Sequence, residues 1–265
     1  MAAIVRKTSI MRVKFIVPFP FDEKGIANRR AQLPRQLIRP GYEVEFVPVR
    51  NSCARGDSYY DAALLDMFVF EAGLRAEEEG YDAVCLDTVS DSAMYGLRSR
   101  LRIPVIGPGQ ASFHIASILG HKFSIISMWD KWFHFYKKTL TEYGFWPKVA
   151  SIRAINEAPD VENLFEGKEK EIFAKLEAES RKAIEEDHAD VIILGSTTMH
   201  QAHGYLSECL PVPVINPGLV AYKLCEMLLE LGLSHSKHAF PPPHVLKDDE
   251  VFTRLASAKP AHSRY

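Results

Sequence analysis

Two stretches of this chain repeat one pattern. Tyr81-Asp82-Ala83-Val84-Cys85-Leu86-Asp87-Thr88, followed by Ser90-Asp91-Ser92, leads to Ile103-Pro104-Val105-Ile106-Gly107-Pro108-Gly109. Ala189-Asp190-Val191-Ile192-Ile193-Leu194-Gly195-Ser196-Thr197-Thr198 leads to Val212-Pro213-Val214-Ile215-Asn216-Pro217-Gly218. From Asp82 to Pro104 is 22 positions, and from Asp190 to Pro213 is 23. Each copy reads as a buried apolar strand, a hydroxyl-rich turn, a helix and a second buried strand. A duplicated unit of this kind predicts two similar lobes whose strand ends face each other across a cleft, and the cleft is where a ligand belongs.

The rest of the chain alternates in the same way. Val13–Val17 and Glu43–Val49 read as strands, Asp61–Gly80 as a helix, Ala111–Leu119 as a helix stopped at Gly120, and Phe123–Ser127 as a strand. Trp129–Tyr143 follows as a helix, Val149–Ile155 as a strand, Glu166–Glu186 as a long charged helix, and Leu219–Leu231 as the helix after the last strand. Such alternation predicts an α/β fold with parallel sheets and helical crossovers. From Ser234 onward periodicity stops, Pro241-Pro242-Pro243 appears and histidines accumulate, so 234–265 is expected to be an extended arm or a poorly ordered tail. His235, His238 and His244 lack cysteine or carboxylate companions at fixed spacing and are expected to be solvated.

Composition narrows the classes of function. A net charge of −2 gives no broad electrostatic case for nucleic acid or an anionic membrane. No apolar run approaches membrane-spanning length, and no apolar segment follows Arg6 and Lys7, so neither a span nor a secretory signal is expected and cytoplasm is the expected compartment. The four cysteines, Cys53, Cys85, Cys209 and Cys225, have no metal-type spacing, and no metal is expected. Cys85 in a strand and Cys225 in an apolar helix read as small buried residues.

The turns after Leu86 and Leu194 carry the chemistry. The first offers Asp87, Thr88, Ser90, Asp91 and Ser92, the second Ser196, Thr197, Thr198 and His200. Helix capping needs one such residue per turn. Five in the first turn and four in its equivalent exceed that need, and they predict a site.

The chain resembles the aspartate/glutamate/hydantoin racemase superfamily, closest to its hydantoin racemase branch. Similarity runs from about Met11 to Leu233 and is carried by Gly80-Tyr81-Asp82-Ala83-Val84, Ile103-Pro104-Val105-Ile106-Gly107, Leu119-Gly120-His121-Lys122-Phe123-Ser124, Ser151-Ile152-Arg153-Ala154-Ile155 and Pro213-Val214-Ile215. The resemblance implies two αβα lobes, each with a parallel four-stranded sheet, related by a pseudo-twofold axis. It divides the chain into 11–107 plus 219–233 for one lobe and 108–218 for the other. It also implies a cofactor-independent enzyme in which two cysteines, one after each strand, remove and return a substrate's α-proton from opposite faces. Those positions fall on Thr88 and Ser196, and neither is cysteine.

Hydroxyls are far too weakly acidic to act unaided as bases at neutral pH, so they need a helper or another task. Asp87, Asp91 and His200 are the expected helpers. Thr88, Ser196, Asp87 and His200 are therefore the candidate catalytic residues, with Phe19, Ser90, Asp91, Thr197 and Thr198 as candidate substrate contacts. Phe19 stands where the family usually carries a polar Asn-Pro-Asn-Thr type loop, which suggests a substrate with an apolar portion; Trp129, Trp132, Phe133 and Phe135 could extend that wall. Three functions compete: isomerase- or lyase-type carbon-acid chemistry on a small carboxylate or cyclic amide, a hydrolase using Ser196 as nucleophile or to orient water, and a ligand-binding relative without chemistry. The expected partners are a small-molecule substrate and further copies of the same chain.

Overall fold

A computed structural model of the protein describes residues 10–158 and 167–257. In chain order the elements are β1 (Met11–Val17), α1 (Glu23–Arg30), β2 (Tyr42–Pro48), α2 (Tyr59–Gly73), β3 (Ala83–Leu86), α3 (Met94–Arg100), β4 (Val105–Ile106) and α4 (Pro108–Leu119). There follow β5 (Phe123–Ser127), α5 (Phe133–Glu142), β6 (Val149–Ala154), α6 (Glu169–Glu185), β7 (Val191–Leu194), α7 (His203–Cys209), β8 (Val214–Ile215), α8 (Pro217–Leu231) and α9 (Asp248–Ser257). They form two four-stranded sheets, ordered β2-β1-β3-β4 and β6-β5-β7-β8, with every pairing parallel. The second order is the first shifted by four strands, so the duplication covers both lobes. All residues of β3 and of β7 are buried, as expected for inner parallel strands covered on both faces.

Two helices change sides. α4 leaves the first sheet yet packs on β7, while α8 leaves the second sheet and packs on β3 and β4; the two also lie against each other. Both begin with Pro-Gly, and proline suits the first helical turn because its missing N–H would lack a partner there anyway. Phe113 of α4 stacks on Phe123 of β5 at 5.6 Å, and Tyr222 and Cys225 of α8 join Phe15, Val17 and Ala83 in the first lobe's core. Each buried aromatic of this kind contributes about 2–3 kcal/mol.

Two local readings change, the extent of the helix from Asp61 and the setting of His235, and one element, α1, carries no periodic signal. The helix expected over Asp61–Gly80 ends at Gly73, where an added Cβ would come within 2.8 Å of Leu97 and 2.9 Å of Ile16; glycine lets α2 approach β1 and α3 closely. α1 has no apolar periodicity and buries only Ile26 and Arg29, but Asp22 caps it by accepting the Gly25 N–H at 2.9 Å. The segment after Ser234 is an arm held on the first lobe. Lys237 Nζ donates to the carbonyls of Arg98, at 2.5 Å, and of Leu101, where α3 ends, and Phe240 stacks on Tyr95 at 5.8 Å. His235 is not solvated as expected: it is half-buried, and its Nε2 accepts the Val105 N–H at 2.8 Å. His238 and His244 are exposed, and residues 258–265 lie outside the described part of the chain.

Candidate active site

Thr88 lies two residues beyond β3 and Ser196 two residues beyond β7, so parallel strands deliver both to the carboxyl ends of their sheets. Thr88 Oγ1 accepts the Ser92 N–H at 3.1 Å, and Ser90 and Ser92 share a hydrogen bond of 3.1 Å. In the second turn Ser196 Oγ accepts the Thr198 N–H at 3.2 Å and lies 2.8 Å from Thr198 Oγ1. Ser196 therefore caps the short helical turn that follows it, whereas Thr88 closes its own loop and the N-terminus of α3 at Ala93 has no side-chain cap. Gly195 sets the close approach beneath Ser196: an added Cβ would lie 2.8 Å from the Tyr136 hydroxyl and 2.9 Å from the Ile126 carbonyl. Tyr136 donates to the Gly195 carbonyl at 2.7 Å and lies 3.0 Å from Ser127 Oγ, so β5 and α5 fix the turn from below.

Both turns open into one cavity of about 100 Å³ between the lobes. Asp87, Thr88, Val89 and Ser90 line one side, and Gly195, Ser196, Thr197 and Thr198 line the other. Pro18, Phe19, Phe21, Leu65, Trp132 and Phe135 supply apolar walls, with Arg29 and Arg55 as the cationic lining residues. Of the four aromatic residues around α5 noted in the sequence, Trp132 and Phe135 reach the cavity, whereas Trp129 and Phe133 pack elsewhere in the second lobe.

Asp87 is bound to a partner that sequence reasoning missed. Arg29 of α1 donates from Nε to Asp87 Oδ2 and from Nη2 to Oδ1, both at 2.7 Å, and Gln32 Nε2 adds a bond of 3.2 Å to Oδ1. The side chains are 1% and 0% exposed. Burial pushes the Asp87 carboxyl up from its ordinary value, against the opposing pull of the guanidinium. Thr197 ties this pair to the second lobe: its Oγ1 accepts from Arg29 Nη2 at 2.6 Å and donates to the Asp87 carbonyl at 3.0 Å. Arg29 Nη1 has no hydrogen-bond partner among the described residues.

Two expected helpers lie outside the cavity lining. Asp91 accepts the N–H groups of Gly109 and Gln110, each at 2.7 Å, and the Tyr143 hydroxyl at 3.0 Å. It caps α4, and burial pushes its carboxyl up to about 6 against those hydrogen bonds. Its left-handed backbone, φ 52°, turns the side chain toward that helix. His200 is buried with Nε2 3.2 Å from Asn28 Oδ1 of α1, and desolvation, reinforced by the nearby Arg29 charge, lowers it to about 3. A hydrolytic nucleophile needs a base on its hydroxyl, and the side-chain hydrogen bonds of Ser196 among the described residues run to Thr198.

Cys85 is fully buried within β3 and Cys225 within α8, as read from the sequence; none of the four cysteines lines the cavity. Among the described residues no group of three or more His, Cys, Asp or Glu is placed to hold a metal ion. Nor, among them, is any helix long and apolar enough to cross a membrane.

A family model described as Asp/Glu/Hydantoin racemase matches residues 27–225. A hydantoin racemase from Pseudomonas sp. (strain NS671) is 30% identical over 203 residues, covering 77% of this chain and 80% of that protein. The allantoin racemase of Klebsiella pneumoniae superposes with a TM-score of 0.80 at 28% identity, covering 89% of this chain and 96% of its own. That of Pseudomonas fluorescens gives 0.82 at 24% identity, over 89% and 99%.

Proposed function

The chain belongs to the Asp/Glu/hydantoin racemase family, and from that premise we propose that it performs isomerase- or lyase-type carbon-acid chemistry, without a cofactor, on a small carboxylate or cyclic amide bearing an apolar group. The observation that carries this reading is the meeting of Thr88 and Ser90 with Ser196 and Thr198 in one apolar-walled cavity. A carbon next to a carbonyl loses a proton or a carboxyl group through an enolate. Hydroxyl and guanidinium donors held in fixed positions stabilise that charge without reorganising. Thr88 and Ser196 take the places of the family's paired thiols and act here as donors to the developing oxyanion. They do not act as bases.

Asp87 is the carboxyl group on the lining and supplies the acid–base function. Burial raises it from its ordinary value, and Arg29 and Gln32 hold it in one orientation. If the substrate loses carbon dioxide, the carbanion forms without a base and is quenched by a solvent proton delivered through Asp87. If it isomerises, Asp87 both removes and returns one.

The test is a panel of small carboxylates and cyclic amides, hydantoins and allantoin included, incubated in heavy water and followed by proton NMR and carbon dioxide release. Exchange at the α-carbon, or decarboxylation with deuterium uptake, is expected for at least one compound. Amide or ring opening without α-exchange would assign the site to hydrolysis, and saturable binding with no turnover would make the chain a binding relative.

A further inference from the structure

We infer that Arg29 is the recognition group of this cavity and that its ligand is a carboxylate monoanion carrying a flat apolar group, one carboxylate oxygen accepting from Nη1. The inference rests on the reading that the cavity is the substrate site, and it narrows the substrate from carboxylate or cyclic amide to carboxylate.

The guanidinium is enclosed, yet its hydrogen bonds are distributed unevenly. Nε and Nη2 are taken by Asp87, and Nη2 also by Thr197, while Nη1 has no partner among the described residues. A buried charged donor left without an acceptor is costly, and native proteins retain such groups where something else completes them. Here the residue carrying that free donor lines the cavity. Its plane is also fixed in advance, since Asp87 holds one edge on two arms and Thr197 holds Nη2 from the opposite lobe. A ligand meeting Nη1 therefore orders nothing further, which is the condition for strong recognition by a planar donor fork.

Charge decides between a carboxylate and a neutral amide. The unpartnered Nη1 belongs to an ionised guanidinium, which attracts a carboxylate more strongly than the neutral carbonyl of an amide because charge–charge attraction is added to the hydrogen bond. One unfilled nitrogen of that guanidinium suits a single carboxylate and leaves a second one without a buried partner. Phe19, Phe21, Trp132 and Phe135 then provide planar apolar surface for the remainder of the ligand.

Phenylacetate and its neutral isostere phenylacetamide probe this directly, by calorimetric titration of the full-length protein at neutral pH. Phenylacetate should bind at least about tenfold more tightly than the amide. That preference should survive in Arg55→Gln, at the exposed rim, and collapse to about twofold or less in Arg29→Lys and in the double variant Arg29→Gln/Asp87→Asn. The double variant removes both buried charges together, so no lone ion is left to unfold the protein. Equal binding of the two probes by the unmodified protein overturns the proposal, as does a preference abolished by Arg55→Gln or the absence of phenylacetate binding up to about 10 mM. None of these three outcomes needs a substitution at Arg29. The titration reads recognition, whereas heavy-water exchange reads reaction. Selective carboxylate binding without exchange would remove the proposed chemistry alone, and turnover of a cyclic amide without carboxylate preference would remove the inference alone.

Discussion

Arg29 and Asp87 meet arm to arm at 2.7 Å, although one ends a short polar helix and the other follows a buried strand 58 residues later. Each charge is tolerable there only because the other is present. Asp87→Ala should therefore destabilise the protein by about 3–5 kcal/mol, while Arg29→Met/Asp87→Leu should recover most of that loss. Urea unfolding of the three proteins measures it. Equal losses in the single and double variants would show that the two charges are not coupled.

Ser196→Ala and Thr88→Val should lower kcat more than they change KM, because the hydroxyls are assigned to charge that develops in the transition state. Ser196→Ala also removes the acceptor of the Thr198 N–H and should cost about 0.5–2 kcal/mol of stability. Steady-state kinetics and melting temperatures separate the two effects. Kinetics unchanged in both variants would leave Asp87 and Arg29 to carry the reaction without them.

Hydantoins, aspartate and glutamate should not be racemised at rates typical of two-thiol enzymes. Thiol reagents should label Cys209 first, since Cys53, Cys85 and Cys225 are buried, and activity should persist through that labelling. Burial pushes the Cys85 thiol well above its ordinary value, which further suppresses its reactivity. Mass-resolved labelling alongside activity is the check, and stoichiometric inactivation traced to Cys85 would place that residue in the mechanism.

Acid should weaken the fold through His200. Its folded value of about 3 lies below its ordinary 6.5, so below pH 6.5 the unfolded chain takes up a proton that the native state refuses. Stability is lost as pH falls through that window, by at most about 1.4 kcal/mol per unit. Asp91, at about 6 against an ordinary 3.8, works in the opposite sense between those values, since there the native state holds the extra proton. Comparing the unmodified protein with His200→Asn at pH 7 and pH 4.5 isolates the histidine: the variant should lose less stability on acidification. Identical losses would mean that His200 is accessible to protons in the folded state.

The repeated strand and turn made the two parallel sheets legible, and with them the opposition of Thr88 and Ser196 across a cleft. What escaped was whatever depended on a partner distant in sequence. Asn28-Arg29-Arg30 looks like the polar end of a surface helix, and nothing in its spacing shows that Arg29 turns inward to Asp87. The available signal was Asp87 itself, a carboxylate directly following an apolar strand, which calls for a buried cation. Asp91 and His200 were grouped with the cavity because they are close to it in sequence. A left-handed residue sends one of them to α4, and a short helical turn sends the other to Asn28. Phe19, placed just after β1, lines the cavity with its ring 5.8 Å from that of Phe21.

The exchange of α4 and α8 between lobes sets an order of events during synthesis. The strands of the first lobe emerge early, but Ala221, Tyr222 and Cys225, which close its core, lie near the end of the chain. The second lobe's sheet and the α4 helix that covers it are contiguous from Pro108 to Ile215. A nascent chain leaving the ribosome can thus complete its second lobe first, holding the first sheet with one face open until α8 arrives. The earliest translated strands are the last to be sealed, and for that interval they are the natural clients of a chaperone.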